Sequence, residues 1–138
     1  MRDVLHALEQ RKSAHLTHGA VPMGEIVELQ QRLGCALPPA LVRLLTEAGN
    51  GIFFGVHELY GPRRLMVHDI ELLPDMLSVK LGCAGIPASW LPFHRRAGIV
   101  HAVDLGREHF GAVFSWPAGP SWPDVASFAR AELSPLPS

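Results

Sequence analysis

The sequence predicts an α+β fold, a single domain in which an antiparallel or mixed β-sheet packs against an N-terminal helix pair and a C-terminal helix. Three observations carry that expectation. Apolar residues recur at helical spacing between 24 and 48, β-prone runs follow at 99–105 and 109–116, and a helical stripe returns after 121. A length of 138 residues suits one domain with a sizeable core. A hydrophobic fraction of 48% with 18% charged residues excludes general disorder. No internal repeat and no linker interrupts the chain, so residues 1–138 are expected to form one domain with a helical extension over 1–20.

Val4, Leu5 and Leu8 in a polar background predict a short helix over 2–12, broken by "HLTHGAVPMG". In "EIVELQQRLG", Ile26, Leu29 and Leu33 share one helical face, and Gly34 suits the left-handed residue that ends a helix. Pro38 or Pro39 opens the next helix, where a missing N–H costs nothing, and Leu41, Leu44, Leu45 and Ala48 form its stripe. Gly49-Asn50-Gly51 turns the chain into "IFFGV", a β-prone run. "HELYGPRRL" reads as loop, residues 67–82 as weakly helical around Pro74, and "GCAGIPASWLPFH" as irregular chain crossing the core. "IVHAVDL" is apolar enough for a central strand. "HFGAVFSW" places Phe110, Ala112, Phe114 and Trp116 on one face, after a hairpin-length connection at Gly106-Arg107-Glu108. Ser121 and Asp124 suggest a capping box for a last helix with Val125, Phe128 and Leu133 on its apolar side.

A net charge of −1 leaves no electrostatic footprint for nucleic acid or an anionic membrane. The start has no apolar h-region and no run approaches the roughly 20 residues of a spanning helix, so a cytoplasmic protein is expected. Cys35 and Cys83 read as two reduced, part-buried thiols rather than a disulfide.

Catalytic and metal chemistry find little support. His15-x-x-His18 has ligand spacing but runs into Gly19 with no third ligand nearby, and His94, His101 and His109 read as surface or core residues. Neither cysteine has a local nucleophile signature, and the glycines fit no phosphate-binding loop. Asp69, Glu71 and Asp75 read as a solvated helix face. No catalytic residue, cofactor or metal is therefore expected. A small enzyme or metal-binding protein using His15/His18 or a Cys–His pair is the minor alternative. Trp116 and Trp122, around "PAGPS", either cap the sheet or anchor a partner. Arg63-Arg64 and Arg95-Arg96 are either solvated or a docking rim; the residues leave both open.

"EIVELQQRLGCALPPALVRLLTEAGNGIFFGVHELYG" resembles the signature of the SUKH superfamily of SMI/KNR-type domains. The matching steps are Leu33-Gly34, Leu37-Pro38, Leu41/Leu44/Leu45, Asn50-Gly51 and Leu59-Tyr60-Gly61. "WLPFHRRAGIVHAVDL", with Asp104 near the end of its strand, then "GAVFSW" and "VASFARAEL", resemble the later segments, so the likeness spans about 24–133. After Gly98 the family often has an acidic or amide residue, where this chain has Ile99; 62–90 matches poorly. The resemblance implies a scaffold built on Gly34, Leu37, Pro38, Asn50, Gly51, Leu59, Gly61 and Asp104. It further implies a non-enzymatic protein-binding domain, since many bacterial members are immunity proteins that neutralise a cognate polymorphic toxin, often a nuclease. A regulatory or scaffolding module with a cellular partner is the alternative it also allows. Candidate contact residues, expected on loops, are Glu58, Tyr60, Arg63, Arg64, Arg95, Arg96, Trp116 and Trp122.

Overall fold

The computed structural model describes residues 1–133. Helix α1 (Arg2–Gln10) is followed by a single 3-10 turn and a two-residue strand, β1 (Leu16–Thr17). Helix α2 (Met23–Leu33) buries Ile26 and Leu29 and ends at Gly34 with φ 76°, the left-handed conformation foreseen there. Helix α3 (Pro39–Glu47) starts with Pro39 in its first turn and buries Leu41, Leu44 and Leu45. Two glycines then let the chain pass close to the β1 segment. A Cβ on Gly49 (φ +86°) would lie 2.0 Å from the Gly19 carbonyl oxygen, and one on Gly51 2.4 Å from that of Leu16. No side chain fits either position.

The sheet holds seven strands in the order β1-β2-β3-β6-β7-β8-β9, every pair antiparallel. They are β2 (Gly51–Phe53), β3 (His57–Leu59), β6 (Trp90–Arg96), β7 (Ile99–Asp104), β8 (Val113–Trp116) and β9 (Ser121–Trp122). A separate two-stranded ribbon, β4 (Leu65–Val67) with β5 (Ile70–Leu73), leads into α4 (Met76–Gly82), which packs on β6. The last helix, α5 (Val125–Glu132), packs against α3 and α1, with Val125, Phe128 and Leu133 buried as their spacing foretold. The α+β expectation holds.

The middle of the chain departs from the sequence reading. "HELYG" is not loop: its first three residues form β3. Residues 67–82 are helical only from Met76; before Pro74 they form β5. Asp69, Glu71 and Asp75 are consequently no helix face. Asp69 sits in the ribbon turn at φ 64°, Glu71 lies in β5, and Asp75 caps α4 by accepting from the Leu77 and Ser78 amides at 3.1 Å each. "SWLPFH" runs into a central strand despite Pro92, because the register shifts between Pro92 and His94, and a bulge tolerates a residue that cannot donate. The bulge also turns both Phe93 and His94 toward Phe128, at ring distances of 5.2 and 5.0 Å.

β8 begins only at Val113, so Phe110 and Ala112 do not share its face. The fully buried face is Val113 and Ser115, while Phe114 stacks on Trp90 at 4.8 Å. The β7–β8 connection is longer than a hairpin turn. Asp104 organises it, its Oδ1 accepting from the Gly106 amide at 2.7 Å and its backbone bonding Gly111 and Ala112. Ser121 lies in β9 and caps nothing; Asp124 alone caps α5, accepting from the Ser127 amide at 2.7 Å.

Candidate protein interface

The β3–β6 register sets Glu58 opposite Arg95. Tyr60, just past β3, donates its hydroxyl to Glu58 Oε1 at 2.7 Å. The Tyr60 side chain is 1% exposed, so it supports Glu58 from the core and presents nothing on a loop, contrary to expectation. Burial, then the Glu58 bond and charge, push its phenol far above the ordinary range. Arg95 keeps its Nε buried with no hydrogen-bond partner among the described residues, and its charge acts on both Tyr60 and the Cys83 thiol. Glu58, Arg95 and Arg96 are strand residues, half-buried, not loop residues as expected. Cys83 is buried and Cys35 half-buried, both free thiols.

Arg63 and Arg64 do sit on a loop, and the Gly49-Asn50-Gly51 corner holds it: Asn50 Nδ2 donates to the Arg63 carbonyl at 3.1 Å. Arg63 pairs with Glu25 of α2 at 3.2 Å and Arg64 with Glu71 of β5 at 3.7 Å. Both are well exposed, which limits each pair to a weak contribution. With Arg32, which the sequence did not flag, they line a depression of about 350 Å³ that also meets Pro62, Asp75 and Leu81. Arg32 carries no ion pair among the described residues. Leu81 is 88% exposed. Three guanidinium groups beside an exposed leucine suit an acidic, partly apolar surface on another protein.

Trp116 and Trp122 are half-buried at the end of the sheet. Trp122 packs on Phe128 at 4.9 Å and on His101 at 5.4 Å, and Ser115 Oγ ties the loop by donating to the Pro120 carbonyl at 2.6 Å. Capping of the sheet is therefore the role their packing fits. The eight candidates accordingly fall into separate groups: Glu58 and Arg95 with Tyr60, Arg96 at the end of β6, the Arg63–Arg64 loop, and the two tryptophans.

His15 spends both ring nitrogens: Nδ1 accepts from the Phe54 amide and Nε2 donates to the Leu8 carbonyl, both at 3.1 Å. His18 bonds the Met66 carbonyl. The His15/His18 pair thus has no convergent lone pairs for a metal, and no group of three or more ligand side chains among the described residues is arranged to hold one. His15 lines a cavity of about 570 Å³ with Leu5, Leu8, Lys12 and Phe53.

A feature the sequence did not reveal lies under α5. His57 Nδ1 meets His94 Nε2 at 2.9 Å, and His94 Nδ1 meets His101 Nδ1 at 2.8 Å, linking β3, β6 and β7. All three side chains are buried, at 3%, 0% and 6% exposure. Burial, then Arg96, then His101 bring His57 down to about 4; burial alone brings His101 to about 4. Burial and then its two neighbours hold His94 lower still. The rings are neutral at pH 7.

Residues 22–130 match the profile of a family described as SMI1 / KNR4 (SUKH-1). Among solved structures, the crystal structure of a protein from Pseudomonas syringae pv. tomato is similar, with a TM-score of 0.70 and 18% identity over 96% of this chain and 97% of that one. At that identity the likeness is one of fold. The comparison with curated proteins found no match. Among the described residues no helix is long and apolar enough to cross a membrane.

Proposed function

Because the chain belongs to the SMI1 / KNR4 family (SUKH-1), we propose that it is a non-enzymatic immunity protein that neutralises a cognate toxin domain by stoichiometric binding in the cytoplasm. The family match over 22–130 carries this reading, since immunity proteins are the general pattern of that family. The residues fit it. Among the described residues neither free thiol is hydrogen-bonded to a base, and the Glu58, Asp75, Asp104 and Asp124 carboxylates accept bonds that hold a side chain, a helix cap or a turn.

The docking rim we favour is Arg32, Arg63 and Arg64 with Leu81. If the toxin is a nuclease, a protein of net charge −1 is a poor overall mimic of nucleic acid, and inhibition rests on local acidic patches or on covering the active site.

The test is coexpression with any toxin domain encoded beside this chain. A 1:1 complex with restored growth supports the reading, and Arg63→Ala with Arg64→Ala should weaken the complex at least 10-fold. A neighbouring toxin that neither binds this protein nor is inhibited by it refutes it. Recovery of a housekeeping complex from native lysate would point instead to a regulatory module.

A further inference from the structure

The imidazole chain crosses the middle of the sheet, where burial favours apolar side chains, and no part of the immunity reading uses it. Its hydrogen-bond count is informative. Two bonds involve four ring nitrogens, and each bond needs one proton between its two nitrogens. With three neutral rings there are three protons: one in each bond and one on an outer nitrogen, His57 Nε2 or His101 Nε2. Both bonds are then satisfied, in either of two senses. A fourth proton fits as well, occupying the other outer nitrogen and leaving one ring cationic with both bonds intact. A fifth has no place. It sets N–H against N–H at 2.8 or 2.9 Å and breaks one link of the chain.

We propose that His57, His94 and His101 form a proton-operated latch, which holds β3, β6 and β7 together while the chain carries up to four protons and parts them when a fifth enters. The surroundings resist every added charge. Phe128 of α5, Trp122 of β9, Phe93 of β6 and Phe54 of the β2–β3 turn press on the rings, and Ser115 of β8 lies opposite His101. Arg96, two residues along β6 from His94, adds positive charge that acts on His57 and His94. Neighbouring carboxylates are engaged elsewhere: Glu58 alternates to the other face from His57 and holds Tyr60, and Asp104 holds the Gly106 amide. Lowered ring pKa values mean that the unfolded chain binds more protons than the folded one below pH 6.5, so stability is full above that value and falls as the pH drops toward 4. For each outer ring the unfolding equilibrium rises about 30-fold between pH 7.5 and 5.

Two measurements on the full chain test the latch. Nitrogen-15 NMR of the imidazole rings at pH 6 should find all three neutral, with His94 nitrogens coupled across both bonds. Urea unfolding from pH 7.5 to 5 should then compare the wild type with His57→Asn/His101→Asn, in which amides keep the Nδ1 bonding positions without titrating. The wild type should lose about 1,000-fold more in its folding equilibrium over that range than the variant. Absence of coupling across either bond at pH 6, equal pH dependence in the two proteins, or stoichiometric zinc bound at these rings would overturn the proposal. If the variant does not fold, the ring spectra of the wild type through the acid transition decide: loss of the His57–His94 or His94–His101 coupling before global unfolding supports the latch, and its persistence refutes it.

Discussion

Replacing Asn50 by Ala tests the link between the scaffold and the arginine loop. Asn50 is 5% exposed, and its Nδ2 supplies the side-chain bond that reaches the Arg63 carbonyl. The amide also fills the space beside Gly61, where an added Cβ would approach Asn50 Cβ, Cγ and Oδ1 at 3.0, 3.1 and 3.3 Å. Losing the bond costs about 1 kcal/mol, and the small void left by the amide about another 1 kcal/mol. With a urea slope near 1.5 kcal/mol/M, a loss of about 2 kcal/mol lowers the unfolding midpoint by about 1.3 M. Asn50→Asp separates bond from volume. Its carboxylate keeps the size but points an acceptor at an acceptor, so at pH 7 it should be at least as unstable as the alanine variant. Protonation restores a donor. The folded-state pKa of that Asp is thereby raised above its unfolded value, so its stability should recover as the pH falls through the folded-state pKa. A midpoint for Asn50→Ala within about 0.3 M of wild type, or an aspartate variant as stable as wild type at pH 7, would refute the role assigned to this bond.

Further outcomes follow from the packing. Phe128→Ala should cost about 3–5 kcal/mol in chemical denaturation, since Phe128 is fully buried against Phe93, His94, His101 and Trp122; Trp122 fluorescence should change in the folded state. Asp124→Ala should cost about 1 kcal/mol at pH 7 by removing the cap of α5. The bond from Ser127 lowers the Asp124 pKa, so that contribution exists above the unfolded value of 3.8 and the two proteins should converge as the pH falls through the folded value. Gly49→Ala should lose about 3 kcal/mol or more, because the residue is at positive φ and its Cβ would strike the Gly19 carbonyl; a melting temperature close to wild type would contradict the close approach of those two segments.

Local spacing was enough to read the apolar faces of α2, α3 and α5 and the end of α2, though not α4. Ile26 and Leu29, the Leu41/Leu44/Leu45 stripe, Gly34 at φ 76° and Val125/Phe128/Leu133 all took their foreseen places, because helical periodicity and left-handed caps are properties of a few consecutive residues. Strands were less legible. Pro92 argued against β6, yet a bulge accommodates it. β3 spans three residues, too short for alternation to show in a background of Gly, Pro and Arg. The interface candidates were half legible for the same reason: the arginine loop lay where "YGPRR" placed it, whereas Tyr60 looked like part of that loop and is core.

By itself, then, the sequence determined the α+β class, the corners at Gly34, Leu37-Pro38 and Asn50-Gly51, and the family to which they belong. Only the tertiary structure decided that Arg32 of α2 joins the loop residues Arg63 and Arg64, that Tyr60 supports Glu58 from below, and that His57, His94 and His101 touch. Those three histidines lie 37 and 7 residues apart along the chain. They meet because antiparallel register brings β3, β6 and β7 side by side, and register is a global property of the sheet that no local window of residues contains.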